Sequence, residues 1–184
     1  MMPSWSGWTT RPSPSSRQTR GRRGSAADRA RFVVGDLAAT GLAAGSANAV
    51  VSIDALHFAA DPTAAGREVL RLLRPGGRLA LTNWQARNPH DTQLPGPLRI
   101  DWAETLRSAG FATVVVEARP EWHQRFIRVF QVALELGDPG DDAGLASLQE
   151  EAQRNLPLAD LADRVVATAI RPNGQGANGG AVDV

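Results

Sequence analysis

Residues 49–84 read AVVSIDALHFAADPTAAGREVLRLLRPGGRLALTNW and contain the alternation that decides the fold. The short run 49–53 is rich in β-branched residues and predicts a strand. Asp61 and Pro62 are typical of a helix start, and apolar side chains then recur at helical spacing up to a Pro-Gly-Gly turn. A second predicted strand, 78–84, follows that turn. Strand, helix and strand in succession predict a parallel pair joined by a crossover helix.

The same alternation extends to both sides of this stretch. Before it, the β-branched run 31–37 (RFVVGDL) predicts another strand. After it, the sequence predicts a proline-rich loop at 85–100, a helix from Asp101, a strand at 112–118, a helix at 122–134, a helix capped by Asp141 or Asp142, and a last strand at 164–170. The whole pattern predicts an α/β fold with helices on both faces of one sheet.

Composition excludes several classes of protein. The 184 residues contain no cysteine, which rules out a disulfide scaffold, thiol catalysis and cysteine-ligated zinc. The three histidines form no close pair, so we expect no metal site. No apolar run approaches the roughly 20 residues that a membrane span needs. Without disulfides or a recognisable signal peptide, the expected location is the cytoplasm.

The first 30 residues differ in composition from the rest. Residues 1–31 hold seven Arg and one acidic residue, with no Val, Ile, Leu or Phe. Such a stretch cannot bury enough apolar surface to offset its ordering entropy. We therefore expect a disordered leader at 1–30, a folded domain at 31–171 and a flexible Gly/Asn-rich tail at 172–184. An arm that binds nucleic acid is the weaker alternative, because no Tyr, Phe or Lys is interleaved with the arginines.

Several motifs within 31–84 resemble the class I S-adenosylmethionine-dependent methyltransferases of the type-11, small-molecule kind. One predicted strand ends in Gly35-Asp36, the next is followed by the run 54–58 (DALHF), and the helix ends in the run 73–79 (LRPGGRL). The resemblance implies a Rossmann-like sheet that is mostly parallel with an antiparallel C-terminal strand. It also implies S-adenosyl-L-methionine as cofactor and methyl transfer to a small-molecule acceptor.

The resemblance assigns roles to residues at the carboxyl ends of the predicted strands. Asp36 would accept a hydrogen bond from the adenine amino group, and Ser52 and Asp54 would flank the methionine end of the cofactor. The implied cofactor-binding set is Gly35, Asp36, Leu37, Ser52 and Asp54. His57 lies where it could act as a general base, since an unperturbed histidine has a pKa of about 6.5. Asp36 as a turn residue, Asp54 as a cap and His57 as a structural residue are the open alternatives.

Three aromatic residues are candidates for an apolar substrate pocket. Trp84 ends a predicted strand, while Trp122 and Phe126 lie four positions apart on a predicted helix. Aromatic residues at such spacing are also typical of a core, so both interpretations stay open.

The sequence lacks two motifs of the family. A glycine-rich loop after the first strand and an acidic residue after the second do not occur before residue 31. The predicted sheet is therefore N-terminally incomplete, with exposed edges, and we expect a truncated or mis-started gene product. The alternative function is an inactive methyltransferase-like protein that acts through a homodimer or through a partner supplying the missing strands.

Overall fold

The computed structural model describes residue 30 and residues 32–92 and 94–173, in two units that divide between Val34 and Gly35. The predicted leader and tail lie almost entirely outside the described residues, so the domain boundaries stay predictions. The second unit contains every described helix and strand. In chain order these are β1 (Ala47–Ile53), a 3-10 turn (Leu56–Phe58), α1 (Pro62–Leu72), β2 (Leu73–Ala86), a 3-10 turn (Gly96–Arg99), α2 (Trp102–Ser108), β3 (Ala112–Ala118), α3 (Pro120–Glu135), α4 (Ala143–Asn155), a 3-10 turn (Leu156–Leu161) and β4 (Ala162–Ile170).

The four strands form one open sheet in the order β1-β2-β4-β3. β1 runs parallel to β2, and β4 runs antiparallel to both of its neighbours, β2 and β3. Three strands therefore point in one direction and only the C-terminal strand opposes them. This confirms the mostly parallel sheet with an antiparallel C-terminal strand that the sequence resemblance implies.

Helices pack on both faces of the sheet. Leu79 and Leu81 of β2 belong to the buried core beneath α1 and α2, together with the fully buried Trp102. Side chains alternate between faces along a strand, so Trp84 lies on the opposite face. There its ring meets the ring of Phe126 on α3, with the two centroids 5.2 Å apart. The arrangement confirms the predicted α/β layering.

The start of α1 is fixed by a local cap that the sequence predicts. The Asp61 carboxylate accepts hydrogen bonds from the backbone N–H of Thr63 at 2.8 Å and of Ala64 at 3.0 Å, and Pro62 occupies the first helical position. These N–H groups have no acceptor within the helix, so the cap stabilises the first turn. It also sets the length of the loop between β1 and α1.

The predicted strand at 31–37 is wrong. Residues 32–35 have no strand pairing, and Asp36 begins a tight turn in which the Ala39 N–H donates to the Asp36 carbonyl at 3.1 Å. Asp36 Oδ1 also accepts a hydrogen bond from the Ala38 N–H at 2.7 Å. A strand satisfies its backbone groups only through a neighbour, and the described residues of this segment form no ladder with a strand. β-branched composition alone does not supply that neighbour.

The position of the Pro-Gly-Gly segment also differs from the prediction. α1 ends at Leu72, and β2 already begins at Leu73, so residues 75–77 lie within the strand. The ladder with β1 shifts there, because Ala47 pairs with Leu73 but Ala49 pairs with Arg78. The extra residues form a bulge, in which Gly76 has φ +73°, a conformation that glycine adopts without steric cost.

Candidate functional site

The carboxyl ends of β1 and β2 lie at the same edge of the sheet, and polar side chains meet there. Asp54 directly follows β1, Thr82 lies on β2, and Arg164 lies near the start of β4. The Arg164 guanidinium donates to both carboxylate oxygens of Asp54, each at 2.6 Å. The Thr82 hydroxyl donates to Asp54 Oδ1 at 3.2 Å. A bidentate ion pair thus joins the loop after β1 to β4 across the intervening strand.

Asp54 adopts an unusual backbone conformation at this edge. Its φ is +49°, the left-handed region that non-glycine residues rarely occupy. The backbone N–H of Asp54 donates to the Thr82 carbonyl at 3.2 Å, in addition to the side-chain contacts with Arg164. Strained residues persist where surrounding contacts determine them, and such residues cluster at functional sites.

Aromatic rings surround the Arg164 guanidinium. Its central carbon lies 5.6 Å from the centroid of Trp84 and 5.7 Å from that of Phe126. Trp84 also meets the His123 ring edge-on at 5.0 Å. The side chain of Arg164 is only 9% exposed, so its charge is balanced by the Asp54 carboxylate and by the ring faces. We call Asp54, Thr82, Trp84, Phe126 and Arg164 the carboxyl-edge cluster.

His57 lies in the 3-10 turn that follows this edge. The Ser52 hydroxyl accepts a hydrogen bond from the Leu56 N–H at 3.3 Å, which anchors the turn to β1. The His57 ring lies against Phe58, with centroids 4.0 Å apart, and its Nδ1 is buried without a hydrogen-bond partner. Burial lowers the pKa of His57 below 6.5, and Arg164 lowers it further while Asp54 acts in the opposite direction. The imidazole is therefore neutral at neutral pH.

The segment that contains Asp36 is anchored elsewhere, on α1. The Thr40 N–H and hydroxyl both donate to Glu68 Oε1, at 2.9 and 2.5 Å. Arg71 pairs with the same carboxylate and also donates to the Leu42 carbonyl at 2.6 Å. Hydrogen bonds from Arg71 and Thr40 lower the pKa of Glu68 to about 2. A buried carboxylate on α1 thus fixes the segment that follows the Asp36 turn.

The structure brings together only part of the residue set that the resemblance implies. Ser52 at the end of β1, Asp54 and His57 follow one another along one segment. Gly35, Asp36 and Leu37 form a separate turn that no described hydrogen bond joins to that segment. Trp84 and Phe126 are in contact. Trp122 is 40% exposed and lies beneath Arg119, whose guanidinium carbon is 5.9 Å from its ring centroid. The proposed roles of all these residues stay predictions.

Sequence reasoning missed Arg164 and Glu68. Arg164 is the first residue of the predicted strand 164–170 and has the pattern of an ordinary strand boundary. Only the pairing of β2 with β4, in which Trp84 lies opposite Arg164, shows that its side chain belongs at this edge. Glu68 did carry a signal, since it interrupts the apolar positions of α1 next to Val69.

Two further observations limit the kinds of site that the described residues can form. Within residues 32–92 and 94–173, no three His, Asp or Glu side chains are grouped so that they could hold a metal ion. No described helix is long and apolar enough to cross a membrane.

Comparison of the sequence with protein families gives one match, to a methyltransferase domain, over residues 9–81. The match begins ahead of the motifs in 31–84 and ends within β2. Among curated proteins, none matches the sequence significantly.

Solved structures share the fold. The [4+2]-cyclase SpnF superposes with a TM-score of 0.61 at 24% identity, covering 78% of this chain and 56% of its own. Phosphoethanolamine N-methyltransferase 2 from Haemonchus contortus, in complex with S-adenosyl-L-methionine, gives a TM-score of 0.59 at 16% identity, covering 75% of this chain and 36% of its own. The same enzyme with phosphomonomethylethanolamine and S-adenosylhomocysteine gives 0.58 at 15% identity, covering 75% and 36%.

The chain thus spans between about a third and a little over half of the length of these structures. A cyclase and a methyltransferase share the fold, so the fold alone does not determine the reaction. The sheet order, the single antiparallel strand and the family match over 9–81 agree with one another. Together they show that the chain has the class I methyltransferase fold that the resemblance implies.

Proposed function

We propose that this chain binds S-adenosyl-L-methionine and takes part in methyl transfer to a small-molecule acceptor. The observation that supports this most strongly is that His57 lies next to the carboxyl-edge cluster, which includes Asp54, where β1 and β2 end. In open α/β sheets, ligands bind outside the carboxyl ends of the strands. The match to a methyltransferase domain over residues 9–81, which includes β1 and α1, also supports the proposal.

The Asp36 turn offers groups that suit the adenine end of the cofactor. Only Oδ1 of its carboxylate is engaged within the turn, by the Ala38 N–H. Oδ2 remains an acceptor that an exocyclic amine can use. Gly35 presents no side chain, so a ring can approach the backbone there. These residues fit the role that the resemblance gives to Gly35, Asp36 and Leu37.

At the methionine end of the cofactor, we propose indirect roles for Ser52 and Asp54, which differ from the flanking roles that the resemblance implies. Both carboxylate oxygens of Asp54 are held by Arg164, so the role we propose for this side chain is to fix the loop. Ser52 likewise uses its hydroxyl to hold the Leu56 N–H. The role left for this loop is to position His57 and the backbone around the cofactor.

The cofactor, when bound, supplies the activated methyl group itself, and the protein contributes binding and orientation. Trp84 and Phe126 provide an apolar wall that keeps water from the edge of the sheet. The small-molecule nature of the acceptor, a cytoplasmic location and a homodimeric assembly belong to the same proposal. Light scattering on the purified chain tests the last of these.

Calorimetric titration of S-adenosylhomocysteine into the full chain tests cofactor binding. We expect heat of binding for the wild type and about tenfold weaker binding for Asp36→Asn, because the new amide NH₂ opposes the adenine amine. Asp138→Asn is the matched control, since Asp138 is also exposed and its Oδ1 accepts from the N–H two residues on, that of Gly140, at 2.9 Å. Absence of binding at millimolar ligand would contradict the proposal.

A further inference from the structure

His57 contains one ring nitrogen whose environment restricts where its proton can lie. Nδ1 is buried and has no hydrogen-bond partner, whereas Nε2 is not buried in this way. Nε2 likewise makes no hydrogen bond to any residue that the structure describes. Nε2 is therefore the nitrogen through which the ring can meet a ligand.

The two neutral tautomers of the His57 ring differ in free energy at this position. With the proton on Nδ1, a buried N–H would have no acceptor, and orphaned buried N–H groups are rare in proteins. With the proton on Nε2, only a lone pair is left unpaired at Nδ1. An imidazolium would carry a proton on both nitrogens and would incur the same cost as the first tautomer. The lowered pKa of His57 agrees with this ranking.

The charged groups around His57 do not offset that cost. Asp54, on the same loop, is bound by Arg164 of β4 through both carboxylate oxygens and accepts no hydrogen bond from Nδ1. On α1, which packs against the turn, Glu68 is engaged by Thr40 and Arg71. Arg67 lies 3.7 Å from the Asp61 carboxylate. Among the residues that the structure describes, no carboxylate pairs with Nδ1 of His57 to direct the proton there.

We propose that His57 is a neutral hydrogen-bond donor, protonated on Nε2, that orients an oxygen of the bound cofactor. The assignment rests on the proposed function, and it replaces the general-base role that the sequence suggests. A base acting through Nε2 needs an unprotonated Nε2, and therefore a proton on the buried Nδ1. The oxygen belongs either to the amino-acid carboxylate of the cofactor or to its ribose.

The proton position can be measured on the free protein. Long-range ¹H–¹⁵N correlation spectra of the full chain at neutral pH distinguish the tautomers of each imidazole, with His90 and His123 as internal references and His57→Gln to assign the signals. We expect His57 to be neutral and protonated mainly on Nε2. A proton mainly on Nδ1, or a charged ring at neutral pH, would overturn the proposal. This result does not depend on whether the chain binds the cofactor.

The ligand contact is tested with two probes and two variants. The amide NH₂ of His57→Gln can donate near the position of Nε2 but cannot act as a base, whereas His57→Leu does neither. We expect His57→Leu to weaken S-adenosylhomocysteine binding at least tenfold and His57→Gln to stay within about threefold of wild type. Thermal unfolding of each variant checks that it folds.

5′-Methylthioadenosine, which lacks the amino-acid end, identifies the source of the oxygen. Weakening of S-adenosylhomocysteine alone in His57→Leu indicates the carboxylate, and equal weakening of both probes indicates the ribose. If His57→Leu binds both probes like wild type, the proposal is overturned. A wild-type chain that binds neither probe would instead refute the proposed function.

Discussion

Arg164 holds both carboxylate oxygens of Asp54 at 2.6 Å, although the two residues are 110 positions apart in the sequence. The pair connects the last strand of the domain to the loop that carries His57. Because Arg164 is nearly buried and Asp54 is about one-third exposed, removing either partner leaves a poorly solvated charge beside the imidazole. The negative charge of Asp54 raises the pKa of His57, and the positive charge of Arg164 lowers it.

We expect Arg164→Gln to raise the pKa of His57, because Asp54 then remains as an uncompensated negative charge. Asp54→Asn should lower the same pKa further, because the positive charge of Arg164 remains. An NMR titration of the imidazole resonances measures both effects.

The control for these variants is the next ion pair along β4. Asp163→Asn disrupts the contact with Arg87, whose Nη2 lies 2.9 Å from the Asp163 carboxylate, and should leave the pKa of His57 unchanged. If Arg164→Gln and Asp54→Asn both moved the pKa upward, loosening and hydration of the loop would explain the effect better than the charges do.

Glu68 should make the domain sensitive to acid. Hydrogen bonds from Arg71 and Thr40 lower the pKa of Glu68 from 4.5 to about 2, so its stabilising contribution is complete above pH 4.5 and is lost as the pH falls toward 2. We expect Glu68→Gln to reduce the free energy of unfolding by about 1–2 kcal/mol at pH 7. The difference from wild type should shrink toward pH 2 in urea titrations.

Glu150→Gln, at an exposed position on α4, is the matched control for Glu68→Gln. It should change the free energy of unfolding by less than about 0.5 kcal/mol at any pH. Equal effects of the two substitutions would mean that the contact between Glu68 and the segment containing Thr40 contributes nothing specific.

Gly66 allows α1 to lie close to the end of α2. A Cβ at this position would lie 2.9 Å from the Cβ of Ala109, so Gly66→Ala forces the two helices apart. Alanine gains about 1 kcal/mol in helix propensity, and overpacking costs about 1–3 kcal/mol. We expect net destabilisation by about 1 kcal/mol in urea unfolding. The control is Gly96→Ala, which should be close to neutral because a Cβ there meets nothing within 4 Å. If Gly66→Ala raised the free energy of unfolding, the close packing of α1 against α2 would be contradicted.

Two of the aromatic residues that the sequence indicated, Phe126 and Trp122, should differ in how much they contribute to the free energy of unfolding. Phe126 contacts Trp84 at 5.2 Å and Phe130 at 4.6 Å between centroids, so Phe126→Ala should cost about 2–3 kcal/mol in the free energy of unfolding. Trp122 is 40% exposed, and Trp122→Ala should cost less than about 1 kcal/mol. Similar losses in thermal or urea unfolding would show that Trp122 belongs to the same packed group.

Local signals in the sequence predicted much of the fold. The Asp61-Pro62 cap, the apolar stripe of α1 and the β-branched run of β1 each depend on neighbours within a few residues, so pattern alone identifies them. The strand expected at 31–37 has the same local signal. It requires a paired neighbour that composition cannot provide, and there the prediction was wrong.

The sequence could predict only those residues of the candidate site that lie close together along the chain. Asp54 and His57 lie on one loop, so the order of motifs indicated both. Arg164 reaches Asp54 only because β4 enters the sheet beside β2, a non-local pairing that the resemblance implied in outline but not residue by residue. The buried Nδ1 of His57 depends on packing around the turn, which no spacing rule gives.

Cofactor binding by this chain is tested most directly by ultraviolet cross-linking of methyl-labelled S-adenosyl-L-methionine, followed by tryptic mapping. Cleavage after arginine releases residues 32–67 as one fragment, which contains Asp36, Ser52, Asp54 and His57. We expect the label in that fragment, and we expect excess S-adenosylhomocysteine to abolish it. A chain that takes up no label, or label that lies outside 32–67 and resists competition, would contradict the proposed function.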